Sequence, residues 1–264
     1  MPSYLQHMKI TLLTLLCLVI SNHPDFVSQQ KKFVRVRDAY KAKEALVTRK
    51  LQESGLSMDN LNILIVAYKQ ECLMDIYAKK REDATYKKLT TYRICARSGS
   101  LGPKRRQGDR QIPEGFYHIN HFNPNSNYHL SLMINYPNAS DRLKSKAARL
   151  GGNICIHGNC VTVGCLPMTD DKIKEIYIYA VQARQSGQEK IPVYIFPFKF
   201  SAETTKNYRE TYKAYPTLLH FWENLETGYN LFINELKEPH ITIDKLGQYS
   251  GITCPENHYL SALL

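Results

Sequence analysis

The stretch GGNICIHGNCVTVGCLPMTDD, residues 151–171, sets Cys155, Cys160 and Cys165 beside His157 within eleven positions, and these are three of the seven cysteines in a chain of 264 residues. Three chemistries fit such a cluster: a zinc cage, a disulfide, or a nucleophile with its base. The segment ICIHG alternates, so Ile154 and Ile156 face one way while Cys155 and His157 face the other. Gly158 lets the chain turn, CVTV reads as a second short run, and LPMTDD leads from Cys165 into a helix that Thr169 or Asp170 can cap. A cysteine between Gly164 and a helix start has chemical advantages. The helix N-terminus favours thiolate over thiol, glycine admits a substrate carbonyl, and the amides of Gly164 and Cys165 can face a tetrahedral oxyanion. His157, eight residues earlier on the adjoining strand, is the candidate base.

The other two chemistries stay open beside it. A zinc site needs Cys155, His157, Cys160 and Cys165 as ligands, yet structural zinc sites bring two short ligand pairs together across a turn, and these four follow in one run. If Cys17 leaves with an N-terminal segment, six cysteines remain, an even number suited to pairing in an oxidising compartment. The sequence leaves the pairing among Cys72, Cys95, Cys155, Cys160 and Cys254 open.

The compartment is read from the N-terminus. Lys9 precedes the run ITLLTLLCLVI, Ile10–Ile20, and polar SNHPD follows, as in the charged and apolar regions of a secretory signal over residues 1–22. The run is too short to span a bilayer, which needs about 20 apolar residues. Export to the periplasm or cell envelope is therefore expected, with no stable membrane span once the signal is removed. Met8, directly before Lys9, is a second candidate start. Leu16 before Cys17 is too bulky for the usual lipid-attachment motif. Lys+Arg 35 against Asp+Glu 24 gives a net charge of +11, which draws anionic polymers. Acids are interleaved with the bases, however, and no basic patch with stacking aromatics is visible, so nucleic acid is not an expected partner.

The periodicity predicts one amphipathic helix over 29–55, ending at Gly55, within a helical lead-in spanning 23–60. From Leu61 the pattern changes to short runs, LNILIVAYK, CLMDIYAK, TTYRICARS, GFYHIN, YHLSLMINY and NICIHG, punctuated by Gly, Pro, Asn and Asp. TDDKIKEIYIYAVQARQSG reads as a helix and IPVYIFPFKF as a strand. Residues 203–237 read as helical, with Leu218, Leu219, Trp222, Leu225, Leu231, Phe232 and Leu236 on a buried stripe. The expectation is an α+β protein. An antiparallel β-sandwich or barrel-like core over 61–200 would carry the chemistry, with helices before it and a helical extension over 201–264 after it.

IHGNCVTVGC resembles the His-Gly…Gly-Cys signature of the L,D-transpeptidase catalytic domain, the YkuD-type family, in its YafK-like branch with the short His-to-Cys interval. GPKRRQGDRQIPEGFYHIN (102–120) and NPNSNYHLSLMINYPNASDR (123–142) are similar to the segments that flank the family's substrate cleft. Thr162-Val163-Gly164-Cys165 keeps the family's Ser/Thr-x-Gly-Cys, while Leu166 and Pro167 stand where Ile/Val-Arg usually follow. The resemblance implies a cysteine acyltransferase of murein that needs no metal or organic cofactor. Cys165 would attack the carbonyl after the third-position diamino acid of a stem peptide and form a thioester, with His157 handling the protons. An amine acceptor would give a cross-link or an attached envelope protein, and water would give hydrolysis. A noncatalytic murein-binding or zinc-stabilised module is the alternative of another class. His129 is a second candidate base, Asp141 with Arg142 a candidate clamp for a peptide carboxylate, and Glu114 an expected turn residue rather than an acid.

Overall fold

The computed structural model describes residues 25–253. The expected signal segment, Cys17 and Cys254 lie outside them. Two helices, α1 (Phe26–Lys31) and α2 (Val34–Glu53), open the described residues where one was expected. Strands β1 (Leu61–Tyr68), β2 (Leu73–Lys80), β3 (Lys87–Arg93), β4 (Gly115–Asn123) and β5 (Ser131–Ile134) follow. Then come α3 (Ala139–Lys144), β6 (Cys155–His157), β7 (Leu166–Pro167), α4 (Asp170–Gln185) and β8 (Ile191–Phe196).

Eight strands form one sheet in the order β3-β2-β1-β8-β4-β5-β6-β7. The α+β class with flanking helices is present, and the strands make a single curled sheet rather than two stacked ones. The pairing is mixed: β1 runs parallel to β8, and β6 parallel to β7. The central strands β1 and β8 are buried on both faces, which is why LNILIVAY and IPVYIF read as nearly continuous apolar runs.

Alternation along β1 divides the core. Ile63, Ile65 and Ala67 pack with Val36, Val47 and Leu51 of α2 and Ile173, Ile176 and Ala180 of α4. Leu64, Val66 and Tyr68 pack on the opposite face with Phe221, Trp222, Leu225, Tyr229 and Phe232. Both helical flanks therefore share a core with the central sheet.

The C-terminal part differs from the expected extension. Residues 203–237 are two helices, α5 (Ala202–Thr211) and α6 (Pro216–Glu235), because Pro216 starts a new helix at its first turn. A hairpin of β9 (His240–Ile243) and β10 (Tyr249–Thr253) follows, and Tyr249 at its end is buried against Phe116. Of the predicted stripe, Trp222, Leu225 and Phe232 are buried, while Leu218, Leu219 and Leu236 are partly covered.

Candidate functional site

The edge of the sheet assembles the cysteine–histidine run. β6 pairs antiparallel with β5 and parallel with β7, so Ile156 lies beside Leu166 and His157 beside Pro167. CVTV is not a strand: residues 158–165 form a loop, and the second strand is the two-residue Leu166–Pro167 beyond it. Gly158 opens this loop because nothing larger fits. A Cβ there would stand 2.5 Å from Asp170 Oδ1 and 3.0 Å from the Tyr128 carbonyl oxygen. Gly164 closes it at φ +138°, a conformation that favours glycine, with the Gln111 carbonyl 3.0 Å from where its Cβ would be.

Within the loop Cys160 is bonded to Cys95, which follows β3. This takes one of the four ligands from the zinc set and resolves one of the open pairings. Cys72, Cys155 and Cys165 are free among the described residues.

His157 is only 2% exposed. Its Nδ1 lies 2.6 Å from the Gly158 carbonyl oxygen, and since a carbonyl only accepts, Nδ1 carries the hydrogen. Nε2 is then the nitrogen available to the Cys165 sulfur. Tyr128, 44% exposed, lays its ring 4.6 Å from the imidazole at an interplanar angle of 31° and covers it from solvent.

The Cys165 sulfur accepts from the Cys155 amide at 3.4 Å and reaches the Asn153 carbonyl at 3.6 Å. Its thiol is brought down to about 5. The largest cause is a hydrogen bond from the Cys155 thiol; burial opposes it, and a bond from His157, the Cys155 amide and the imidazolium charge add to it. Cys155 is pushed far up in return, first by its bond to Cys165 and then by burial. The expected cause of thiolate stabilisation, a helix start, is corrected here. The first residue of α4 is Asp170, capped by Thr169, with β7 intervening, so the donors beside Cys165 come from β6 and not from the helix.

The expected oxyanion donors need a correction too. The amides of Gly164 and Cys165 both donate to Thr162 Oγ1, at 3.1 and 2.8 Å, and that hydroxyl donates to the Cys165 carbonyl at 2.8 Å. The two N–H groups do converge on one point, but a hydroxyl oxygen occupies it.

Asp141 and Arg142 do not form a clamp. Asp141 is 1% exposed, and its carboxylate binds Arg105 at 2.9 Å, the Tyr117 hydroxyl at 3.0 Å and the Asn138 amide at 3.1 Å in the capping box of α3. Arg142 turns back to the Pro137 carbonyl. A short helix needs its first amides satisfied, and Asp141 serves that need. His129, at φ +70°, lies against the Gly158 turn. Burial lowers its pKa, and its charged neighbours are Asp170 and Lys174 of α4 and Arg35 and Asp38 of α2, which places its ring on the helical side. Glu114 is a buried partner rather than a turn surface: it binds Lys69 Nζ at 2.8 Å, the Gly102 amide at 2.7 Å and Trp222 Nε1 at 2.8 Å.

From the sequence Tyr128 had no role, Thr162 entered only as part of the family pattern and Cys155 only as a zinc or disulfide candidate. The alternation in ICIHG already put Cys155 on the His157 side. Tyr128 opens the run YHLSLMINY, which reads as a strand, but β5 starts only at Ser131 and Tyr128 lies in the loop before it.

With this fold and this cysteine–histidine edge, the chain belongs to the YkuD family of L,D-transpeptidase catalytic domains, whose profile matches residues 62–195. A relative from Escherichia coli K12, named "Putative L,D-transpeptidase YafK", is 37% identical over 183 residues, covering 69% of this chain and 70% of that one. Among solved structures, the helical cell shape determining protein Pgp2 from Campylobacter jejuni is similar at 18% identity and a TM-score of 0.42, over 71% of this chain and 74% of that one. Bd1075 from Bdellovibrio bacteriovorus follows at 20% identity and 0.39, over 69% and 77%. The family makes this an L,D-transpeptidase-like protein.

Proposed function

We propose that the chain is an exported cysteine acyltransferase that acts on peptidoglycan stem peptides through a thioester at Cys165. The observation that carries this reading is a sulfur held by β6 donors beside an imidazole whose Nδ1 is fixed on the Gly158 carbonyl. Such a thiol is ionised at neutral pH, where a free thiol near 8.5 is not. The Cys165 thiol gives its proton to His157 Nε2, and the thiolate attacks the peptide carbonyl that follows the third-position diamino acid. The tetrahedral oxygen takes the place of Thr162 Oγ1, the point on which the Gly164 and Cys165 amides converge, each such donor supplying about 10²- to 10³-fold in other enzymes. His157 then delivers its Nε2 proton to the leaving amine, the terminal D-amino acid departs, and the thioester remains. His157, neutral again, takes a proton from the acceptor as it attacks the thioester. An amine gives transfer, to another stem peptide or an envelope protein, and water gives hydrolysis.

Residues 61–200 carry this chemistry, with 23–60 and 201–264 as flanks. Export is supported by the Cys95–Cys160 disulfide, which suits an oxidising compartment. No helix among the described residues is long and apolar enough to cross a membrane. Export predicts a mature envelope protein that lacks Ile10–Ile20, checked by N-terminal sequencing.

The test is product analysis by mass spectrometry on purified sacculi, with and without an added amine. The wild type is expected to release the terminal D-amino acid and Cys165→Ala to release none. Release by Cys165→Ala at the wild-type rate would remove the nucleophile assignment. Binding without turnover by the wild type would favour the noncatalytic reading.

A further inference from the structure

The parallel pairing of β6 and β7 has Ile156 beside Leu166 and His157 beside Pro167. Cys155 is the first residue of β6 and Cys165 directly precedes β7, so each stands one position before the first paired residues. The Cys155 amide is 3.4 Å from the Cys165 sulfur. Both thiols reach the same Asn153 carbonyl oxygen, Cys155 at 3.5 Å and Cys165 at 3.6 Å. Both are free and half-buried. The loop between them already holds an oxidised cysteine, Cys160 bonded to Cys95, so thiol oxidation reaches this segment.

We propose that Cys155 is a resolving thiol that closes a disulfide onto Cys165 and withdraws it from reaction when a small-molecule disulfide of the glutathione class enters the site. That the bond silences the protein rests on Cys165 being the nucleophile; that the bond forms does not.

The exchange proceeds in two displacements. The Cys165 thiolate attacks one sulfur of the small disulfide, the S–S bond breaks, and the first small thiolate leaves with a proton from solvent. Cys155 then gives its proton to solvent, its sulfur attacks the Cys165 sulfur of the mixed disulfide, and the second small thiolate leaves and is protonated. Two protein thiols are oxidised by two electrons, and one small disulfide is reduced to two thiols. The order follows from the local acidity. Cys165 is the ionised sulfur, and Cys155 is held protonated chiefly by its bond to Cys165, then by burial and the Cys165 charge. Once Cys165 is in the mixed disulfide its negative charge is gone, and the group that restrained Cys155 no longer does so. A thiolate converted to a disulfide in this way is also kept from irreversible oxidation to sulfinic acid.

The experiment treats the mature protein with oxidised glutathione and maps the tryptic peptide spanning 150–172, which contains Cys155, Cys160 and Cys165. In the wild type, tandem mass spectrometry is expected to find a Cys155–Cys165 bond, with two hydrogens lost and no glutathione retained. Turnover of sacculi is expected to stop and to return with a thiol reductant. Cys155→Ser cannot resolve the intermediate, so glutathione is expected to remain on its Cys165. Glutathione retained on Cys165 of the wild type, to the same extent as in Cys155→Ser, would overturn the proposal. A Cys155–Cys165 bond that leaves turnover unaffected would instead remove the silencing and the nucleophile assignment together, while the resolving thiol stands.

Discussion

Cys165 owes its acidity to the thiol and amide of Cys155 and to His157, and the two side-chain influences separate in a pH titration. An acid whose pKa is lowered is ionised to lower pH, so alkylation of Cys165 is expected to rise with a midpoint near pH about 5 and to level off before neutrality. An ordinary thiol near 8.5 is still rising there. Cys155→Ala removes the largest lowering influence and His157→Ala removes a hydrogen bond and a charge, so each midpoint is expected to move upward. At pH 6 the alkylation rate of either variant should fall roughly 10- to 100-fold, the loss of thiolate that such a shift entails. Stopped alkylation followed by mass spectrometry measures it. Profiles identical to the wild type in both variants would mean that neither neighbour sets the thiol's state. Tyr128 tests the imidazole instead: because the ring is exposed and only stacks on His157, Tyr128→Ala is expected to lower kcat without lowering Tm.

The loop from Gly158 to Cys165 is built as one unit, and its two ends fail differently. Thr162 Oγ1 is the shared acceptor for two amides, so Thr162→Val leaves both N–H groups unpaired where they are partly buried. Each unsatisfied group costs about 1–3 kcal/mol, and urea denaturation should register a loss in that range. Gly158→Ala acts by collision. Its methyl group would meet Asp170 Oδ1 and the Tyr128 carbonyl, and overpacking of this kind costs about 1–3 kcal/mol. Tyr128 stacks on His157, so turnover is expected to fall with stability. A Gly158→Ala protein of wild-type Tm would show that the turn relaxes freely. The Leu166–Pro167 departure from the family pattern also has a structural place: these residues form β7 directly after Cys165, with Leu166 beside Ile156 and Pro167 beside His157.

Glu114 joins parts of the molecule that are far apart in the chain. It takes Lys69 from the end of β1, the Gly102 amide from the long loop and Trp222 from α6, all with no solvent exposure of its own. Lys69 is lowered by burial, and Glu114 is the main charge working against that. Breaking a buried pair by removing one partner costs about 3–5 kcal/mol. Glu114→Ala should therefore lower Tm by roughly 6–20 °C for a chain of this size, read by calorimetry. A shift under a degree would show that the pair is dispensable. The same connection explains what was and was not legible beforehand. The alternation of ICIHG, the glycines of the loop, the cap at Thr169 and the apolar runs of β1, β4 and β8 are properties of neighbouring positions, and the α+β class and the Cys165–His157 pairing could be read from them. The role of Asp141 could not, because its partners Arg105 and Tyr117 are remote in sequence and nothing at Asp141 distinguishes a buried cap from a surface clamp. Nor could the helix break at residues 212–215 be separated from a continuous apolar stripe, although Pro216 was its local sign. The parallel β1–β8 and β6–β7 pairings, the closure of Cys95 on Cys160 across 65 residues and the meeting of Cys155 with Cys165 were decided only when the sheet formed. Periodicity states which face of a strand is buried, whereas its neighbour in the sheet depends on contacts among the whole set of strands.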